Sequence, residues 1–105
     1  MNTSPRQQYP GSTEASWHPV TLTAGTNLGI SGLPTYQVKV YAIVLSAAAS
    51  VNITLLDGAN PFTGAMPTTA FAFDTEDKPF ICSVGNNFNI QSTGNAAGAI
   101  FASIN

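Results

Sequence analysis

The feature that most constrains this chain is a period of two. Apolar residues alternate with polar or small ones in short runs, and turn residues separate the runs. In Gln37 to Ser46, QVKVYAIVLS, the residues Val38, Val40, Ala42 and Val44 fall on one face, and Lys39, Tyr41, Ile43 and Leu45 on the other. The run starts as a simple alternation and becomes apolar on both faces near Ile43, which predicts a strand covered on both sides. Val51, Ile53 and Leu55 alternate with Asn52, Thr54 and Leu56. The small residues Ala47–Ala49 between these two runs predict a turn, and so a hairpin.

The same pattern continues along the chain. His18 to Leu22 reads as a short strand, and Pro19 places it at an edge or a strand start, because proline cannot donate to the ladder. Gly25, Gly29, Gly32 and Pro34 predict a loop, with a brief apolar touch at Leu28 and Ile30. Asp57-Gly58, Asn60-Pro61 and Thr63-Gly64 mark turns. Thr68 to Phe73, Phe80 to Ser83, Phe88 to Ile90 and Gly98 to Ile104 are strand candidates. In the last of these, Ile100, Ala102 and Ile104 lie opposite Ala99, Phe101 and Ser103. No stretch offers a helical i, i+3, i+4, i+7 stripe, and no repeat of 20–50 residues is present. The expected fold is all-β: an antiparallel, jelly-roll-like β-sandwich of about seven or eight short strands. Met1 to Ser16, with Pro5, Pro10 and Gly11 and no periodic pattern, is expected to be an extended N-terminal arm. Residues 17–105 are expected to form the sandwich domain.

Charge narrows the function. Only 8% of the 105 residues are charged, against about 25% in ordinary domains, while 44% are hydrophobic. That balance is the reverse of a disordered chain. Arg6, Lys39 and Lys78 are too few and too scattered to neutralise phosphates, so nucleic acid is not an expected partner. No apolar run reaches the ~18–20 residues of a membrane helix, so no membrane is expected. Met1 to Trp17 is polar, and no secretory signal is read there. A single cysteine, Cys82, allows no internal disulfide and suggests folding in a reducing compartment. The polar residues are mostly Thr, Asn, Ser and Gln. They hydrogen-bond without a charge-burial penalty, which suits a surface that partners cover.

Catalytic signals are weak. The one histidine, His18, has no visible nucleophile or acid around it, and no G-x-S-x-G element is present. Cys82, between Ile81 and Ser83, reads as a small buried side chain. Asp74, Glu76 and Asp77 form the one carboxylate cluster. They lack the spacing of an EF-hand, so a solvated turn is expected, with cation binding left open. No cofactor is expected. Aromatic anchors remain: Tyr9, Trp17, Tyr36, Tyr41 and Phe62, with Arg6 in the arm, are the candidate partner-binding residues.

From Val38 to the C-terminus the chain has a recurring order of turns. VYAIVLSAAASVNITLLDG is followed by FTGAMP and then PFICSVGNNFNIQSTGNAAGAIFASI. Cys82-Ser83, Gly85-Asn86, the strand Phe88 to Ile90, the small-residue turn Ser92 to Ala97 and Gly98 carry the pattern. This order resembles small tailed-phage capsid decoration (cement) proteins. The resemblance implies a non-enzymatic virion protein, often a homotrimer. It would be made in the host cytoplasm and sit on the outer capsid, where several major capsid protein subunits meet. The alternative from a different class is a carbohydrate- or receptor-binding β-sandwich module of a phage tail or fibre. Such a module would stack exposed aromatics on sugar rings.

Overall fold

A computed structural model describes residues 13–105; residues 1–12, with Arg6 and Tyr9, lie outside the described part. Eight strands follow one another: β1 (Thr13–Leu22), β2 (Gly25–Ile30), β3 (Val38–Asp57), β4 (Asn60–Pro61), β5 (Met66–Asp74), β6 (Phe80–Ile81), β7 (Phe88–Ser92) and β8 (Ala96–Ile104). Among the described residues there is no helix, and every pairing is antiparallel. The all-β antiparallel expectation holds, and the strands belong to one curled sheet. β1 starts at Thr13, so the last residues of the expected arm belong to a strand that pairs with β8.

β3 organises the molecule. The hairpin expected at Ala47–Ala49 does not form; β3 runs unbroken for 20 residues through that stretch. Alanine and serine carry no φ constraint, so a small-residue run without Gly or Pro turns the chain only if pairing demands it. Here Ser46 and Val51, on either side of the stretch, both pair with β5, so it bends within one strand instead of reversing the chain. The first half of β3 pairs with β8 on one side, and the second half pairs with β7 on that same side. β1 then lines β8, and β2 lines β7. On its other side β3 meets β6, β5 and β4. Fully extended, 20 residues would span about 66 Å. The longest dimension of the molecule is 45 Å, so β3 must bend. Ser46 pairs with Ala70 and Val51 with Thr68, so Ala47–Ser50 bulge away from β5 at the bend.

A second irregularity resolves the two-faced apolar pattern. Val40 pairs with Ala102 and Ala42 with Phe101, which leaves Tyr41 as an extra residue on β3. An extra residue reverses the inside–outside alternation. Before it Val38 and Val40 are buried; after it Ile43, Leu45, Val51, Ile53 and Leu55 are. Val44, expected to share a face with Val38, is turned outward and is 42% exposed. The middle of β3 is apolar on both sides because its phase slips there.

The segment from Gly25, expected as a loop, contains strand β2. Gly32 and Pro34 do lie in the connection between β2 and β3, and Gly25, with φ +112°, serves the turn before β2, which Asn27 pins: its amide donates to the Thr23 carbonyl at 2.9 Å and accepts from the Thr23 N–H at 3.0 Å. Gly29 lies inside the strand, where a Cβ would sit 2.9 Å from the Phe88 carbonyl oxygen. It is a close-approach glycine, not a turn signal.

The curl encloses one core. Leu22, Ile43, Ile53, Leu55, Phe88, Ile90 and Ile100 are its largest fully buried side chains. Each contributes roughly 1.5–3 kcal/mol by leaving water. The Asp57 carboxylate at the end of β3 ties the 82–86 loop to this core. It accepts from the Ser83 N–H (3.1 Å), the Ser83 hydroxyl (3.0 Å) and the Asn86 amide (2.9 Å).

Candidate interaction face

The groups that carry chemistry do not converge. His18 is half-buried on β1, and its Nε2 lies 3.3 Å from the Ser16 hydroxyl. Cys82 is fully buried, with Sγ 3.8 Å from the Asn87 carbonyl oxygen. Burial, helped by the negative charge of Asp57, pushes its thiol up to about 12. It therefore stays protonated at neutral pH and is a poor nucleophile. Asp74, Glu76 and Asp77 lie on a tight turn. The Asp74 carboxylate accepts from the Glu76 N–H at 2.7 Å, and Glu76 has φ +59°. Among the described residues no group of three or more metal-ligating side chains is found.

The outer face of the curl is different. The β1–β8 register sets Trp17 opposite Phe101 and Pro19 opposite Ala99. The β3 registers set Val44 between Ala99 and Ala72, and Ser46 between Ala97 and Ala70. By alternation all of these point away from the core. Trp17, 52% exposed, lies 5.1 Å from Phe101, centroid to centroid and tilted by 45°. Tyr41, the bulge residue, meets the other side of Phe101 at 6.2 Å. An aromatic row thus crosses three strands, beside a flat field of Pro, Ala and Val. No charged residue lies within this field; Lys39 and Asp74 sit at one end. Where β3 bends, the same face dips into an open cleft of about 360 Å³ lined by Thr21, Thr23, Ser46, Ala47, Asn95 and Ala97.

Of the candidate partner-binding residues, Trp17 and Tyr41 come together here through Phe101. Tyr36 lies half-buried in the connection from β2 to β3, where its carbonyl accepts from the Gly85 N–H. Phe62 faces the core, stacked on Phe80 at 5.0 Å and 6.3 Å from Phe88. Phe101, Val44 and Pro19 were not among the candidates. A signal for Phe101 existed: it is a large aromatic on the side of its run opposite Ile100 and Ala102. The pairing that gives it Trp17 and Tyr41 as neighbours spans most of the chain.

An uncharged apolar field with aromatics at one end has the composition of an interface core. Trp and Tyr there give large contact area for few frozen torsions. No family model matches the chain, and comparisons with curated proteins and with solved structures gave no match.

Proposed function

We propose that this chain is a non-enzymatic structural protein whose outer β1–β8–β3–β5 face packs on another protein. The context we propose is the outer surface of a phage capsid, with the major capsid protein as partner. One observation supports the reading most: the uncharged field from Trp17 and Phe101 to Val44 and Ala72. Docking a face of this kind desolvates almost no charge, so the apolar area is not offset by ionic desolvation. Self-association belongs to the proposal, and a trimer is the stoichiometry that the resemblance implies.

The experiment is cosedimentation of the purified chain with capsids, and the capsid melting temperature with and without it. The wild type is expected to bind and to raise the melting temperature. Val44→Lys, a charge set in the middle of the field, is expected to keep the fold and lose binding. No cosedimentation by the wild type, or binding unaltered by Val44→Lys, would sink the proposal.

A second reading rests on Trp17 and on the cleft that begins at Thr21, about 14 Å further along the same strand. A half-exposed indole and an uncharged cleft with hydroxyl and amide groups suit a sugar ring. This is the carbohydrate- or receptor-binding module of a tail or fibre. A glycan array decides it: binding that Trp17→Ala abolishes supports this reading, and a blank array removes it.

A further inference from the structure

The bulge that turns the face of β3 over leaves one residue outside the ladders. Tyr41 is passed over by each neighbouring strand: β8 pairs with Val40 and Ala42, the pairing of β6 ends at Val40, and that of β5 begins at Ala42. The backbone of a residue outside the ladder has more freedom to turn, and its side chain turns with it. Yet Tyr41 is the residue whose ring closes the aromatic row against Phe101, edge-on at 6.2 Å. Trp17, on the other side of Phe101, has no such freedom, because it is paired in the β1–β8 ladder.

What holds Tyr41 is a residue that belongs to no strand. The Tyr41 carbonyl accepts from the Thr75 N–H at 2.8 Å and from the Thr75 hydroxyl at 2.9 Å. Asp74, the last residue of β5, pairs with Ala42, so the strand delivers Thr75 beside the bulge. The turn that follows is tightly bent. Glu76, whose N–H donates to the Asp74 carboxylate, has φ +59°, a left-handed conformation that a glutamate keeps only where its surroundings impose it. The Lys78 N–H donates to the Thr75 carbonyl at 3.1 Å. Thr75 is thus fixed through its own carbonyl and through the turn around it, while both of its donors go to Tyr41. In Asp74–Lys78 the one uncharged residue is the one that reaches the sheet.

We propose, on the reading of the outer face as a binding surface, that Thr75 is the positioning residue of that face: its two hydrogen bonds lock the bulge and hold Tyr41 against Phe101 before a partner arrives. A ring already in place gives up little torsional freedom when the partner docks. A ring on an unpinned bulge has to be ordered at that moment, and affinity falls by the cost of ordering it. Any residue but proline brings the N–H to the Tyr41 carbonyl. The second donor, taken by the other lone pair of that oxygen, needs the short hydroxyl of threonine or serine.

The test compares the full-length wild type with Thr75→Val, which keeps the N–H but lacks the hydroxyl, and with Thr75→Ser, which keeps both donors. In the free chains, proton NMR reads the nuclear Overhauser contacts of the Phe101 ring. Those to Tyr41 are expected in wild type and Thr75→Ser and are expected to weaken or vanish in Thr75→Val. Those to Trp17 are expected in all three. In capsid cosedimentation Thr75→Val is expected to bind about two- to tenfold more weakly, the worth of one hydrogen bond, and Thr75→Ser to bind as wild type does. A Tyr41–Phe101 contact unaltered in Thr75→Val overturns the proposal whatever the capsids do. So does an equal loss in Thr75→Ser, which would make the threonine methyl the group that matters, and so does wild-type affinity in Thr75→Val. A wild type that binds no capsid sinks the reading of the face, and the NMR contacts then decide the role of Thr75 alone. If Thr75→Val does not fold, Thr75→Ala, which also lacks the hydroxyl, takes its place.

Discussion

The two halves of β3 share one strand, one core and one set of pairing rules, yet they show opposite surfaces to the outside. Around Val38–Ser46 the outer residues are Trp17, Pro19, Phe101, Ala99, Val44 and Ala72. Around Val51–Asp57 they are Asn52 and Thr54, with Gln91 and Asn89 on β7 and Thr26 and Leu28 on β2. Inward, both halves are alike: Ile43 and Ile53 are equally buried. Core formation therefore does not explain the difference, and the apolar outer field of the first half needs another cause. Contact with another protein is the cause we propose, because water gives no advantage to an exposed Trp–Phe–Tyr row.

The largest expected effect lies at the closest approach in the first half. A Cβ on Gly98 would overlap the Val44 carbonyl, while one on Gly94, beside the second half, meets only a Val51 methyl at 3.0 Å. Backbone cannot yield as a methyl can. Gly98→Val is expected to leave no cooperative thermal transition, and Gly94→Ala to cost about 1 kcal/mol or less. If the two prove equal, the first half is looser than described.

Next comes the phase slip. Ile43 and Val44 are adjacent, one fully buried and one 42% exposed. Ile43→Ala is expected to cost about 2–5 kcal/mol in denaturant unfolding and Val44→Ala about 0.5 kcal/mol or less. Equal costs would remove the bulge at Tyr41. At the far end of β3, Asp57→Ala leaves the Ser83 N–H and the Asn86 amide without their acceptor. A loss of about 1–3 kcal/mol is expected by the same measurement. A neutral result would mean that the 82–86 loop holds itself.

The effect that vanishes at neutral pH is the one at Cys82. The Cys82 thiol is held up at about 12 in the folded chain against an ordinary value of 9.0. Below pH 9 both states keep the proton and stability does not depend on it. Between pH 9 and 12 the unfolded chain loses the proton first, so stability falls as pH rises, by about 1.4 kcal/mol per pH unit for one proton. Other groups titrate there too, so the readout is the slope of wild type minus that of Cys82→Ala. Identical slopes would contradict the shift.

Much of this fold was legible. Asp57-Gly58 and the small-residue run Ser92 to Ala97 do turn the chain, and the alternation in Val51–Leu55 and Phe88–Ile90 names core residues that are buried. Two misreadings share one cause: local composition was taken to outweigh pairing. Ala47–Ala49 looked like a turn because the residues are small, but Ser46 and Val51 on either side both pair with β5, which makes the stretch a bend within β3 and not a reversal. Gly29 looked like a loop residue, but it lets β2 approach Phe88. The interaction face was half legible. Trp17 and Tyr41 were visible as large aromatics with no assigned place. Their convergence depends on β8 lying between their strands, and no local pattern reports that order.

The strand order also has a consequence in time. β8 follows the other seven described strands in the chain, yet it lies between β1 and β3, and Asn105 exchanges backbone hydrogen bonds with Gln37 in both directions. Until β8 has left the ribosome, β1 lacks the strand it pairs with among the described residues, and the first half of β3 is open along one side. The chain therefore cannot fold progressively from its N-terminus. It must wait and then close distant segments together, which predicts slow folding and an unfolded nascent chain that exposes the apolar run QVKVYAIVL.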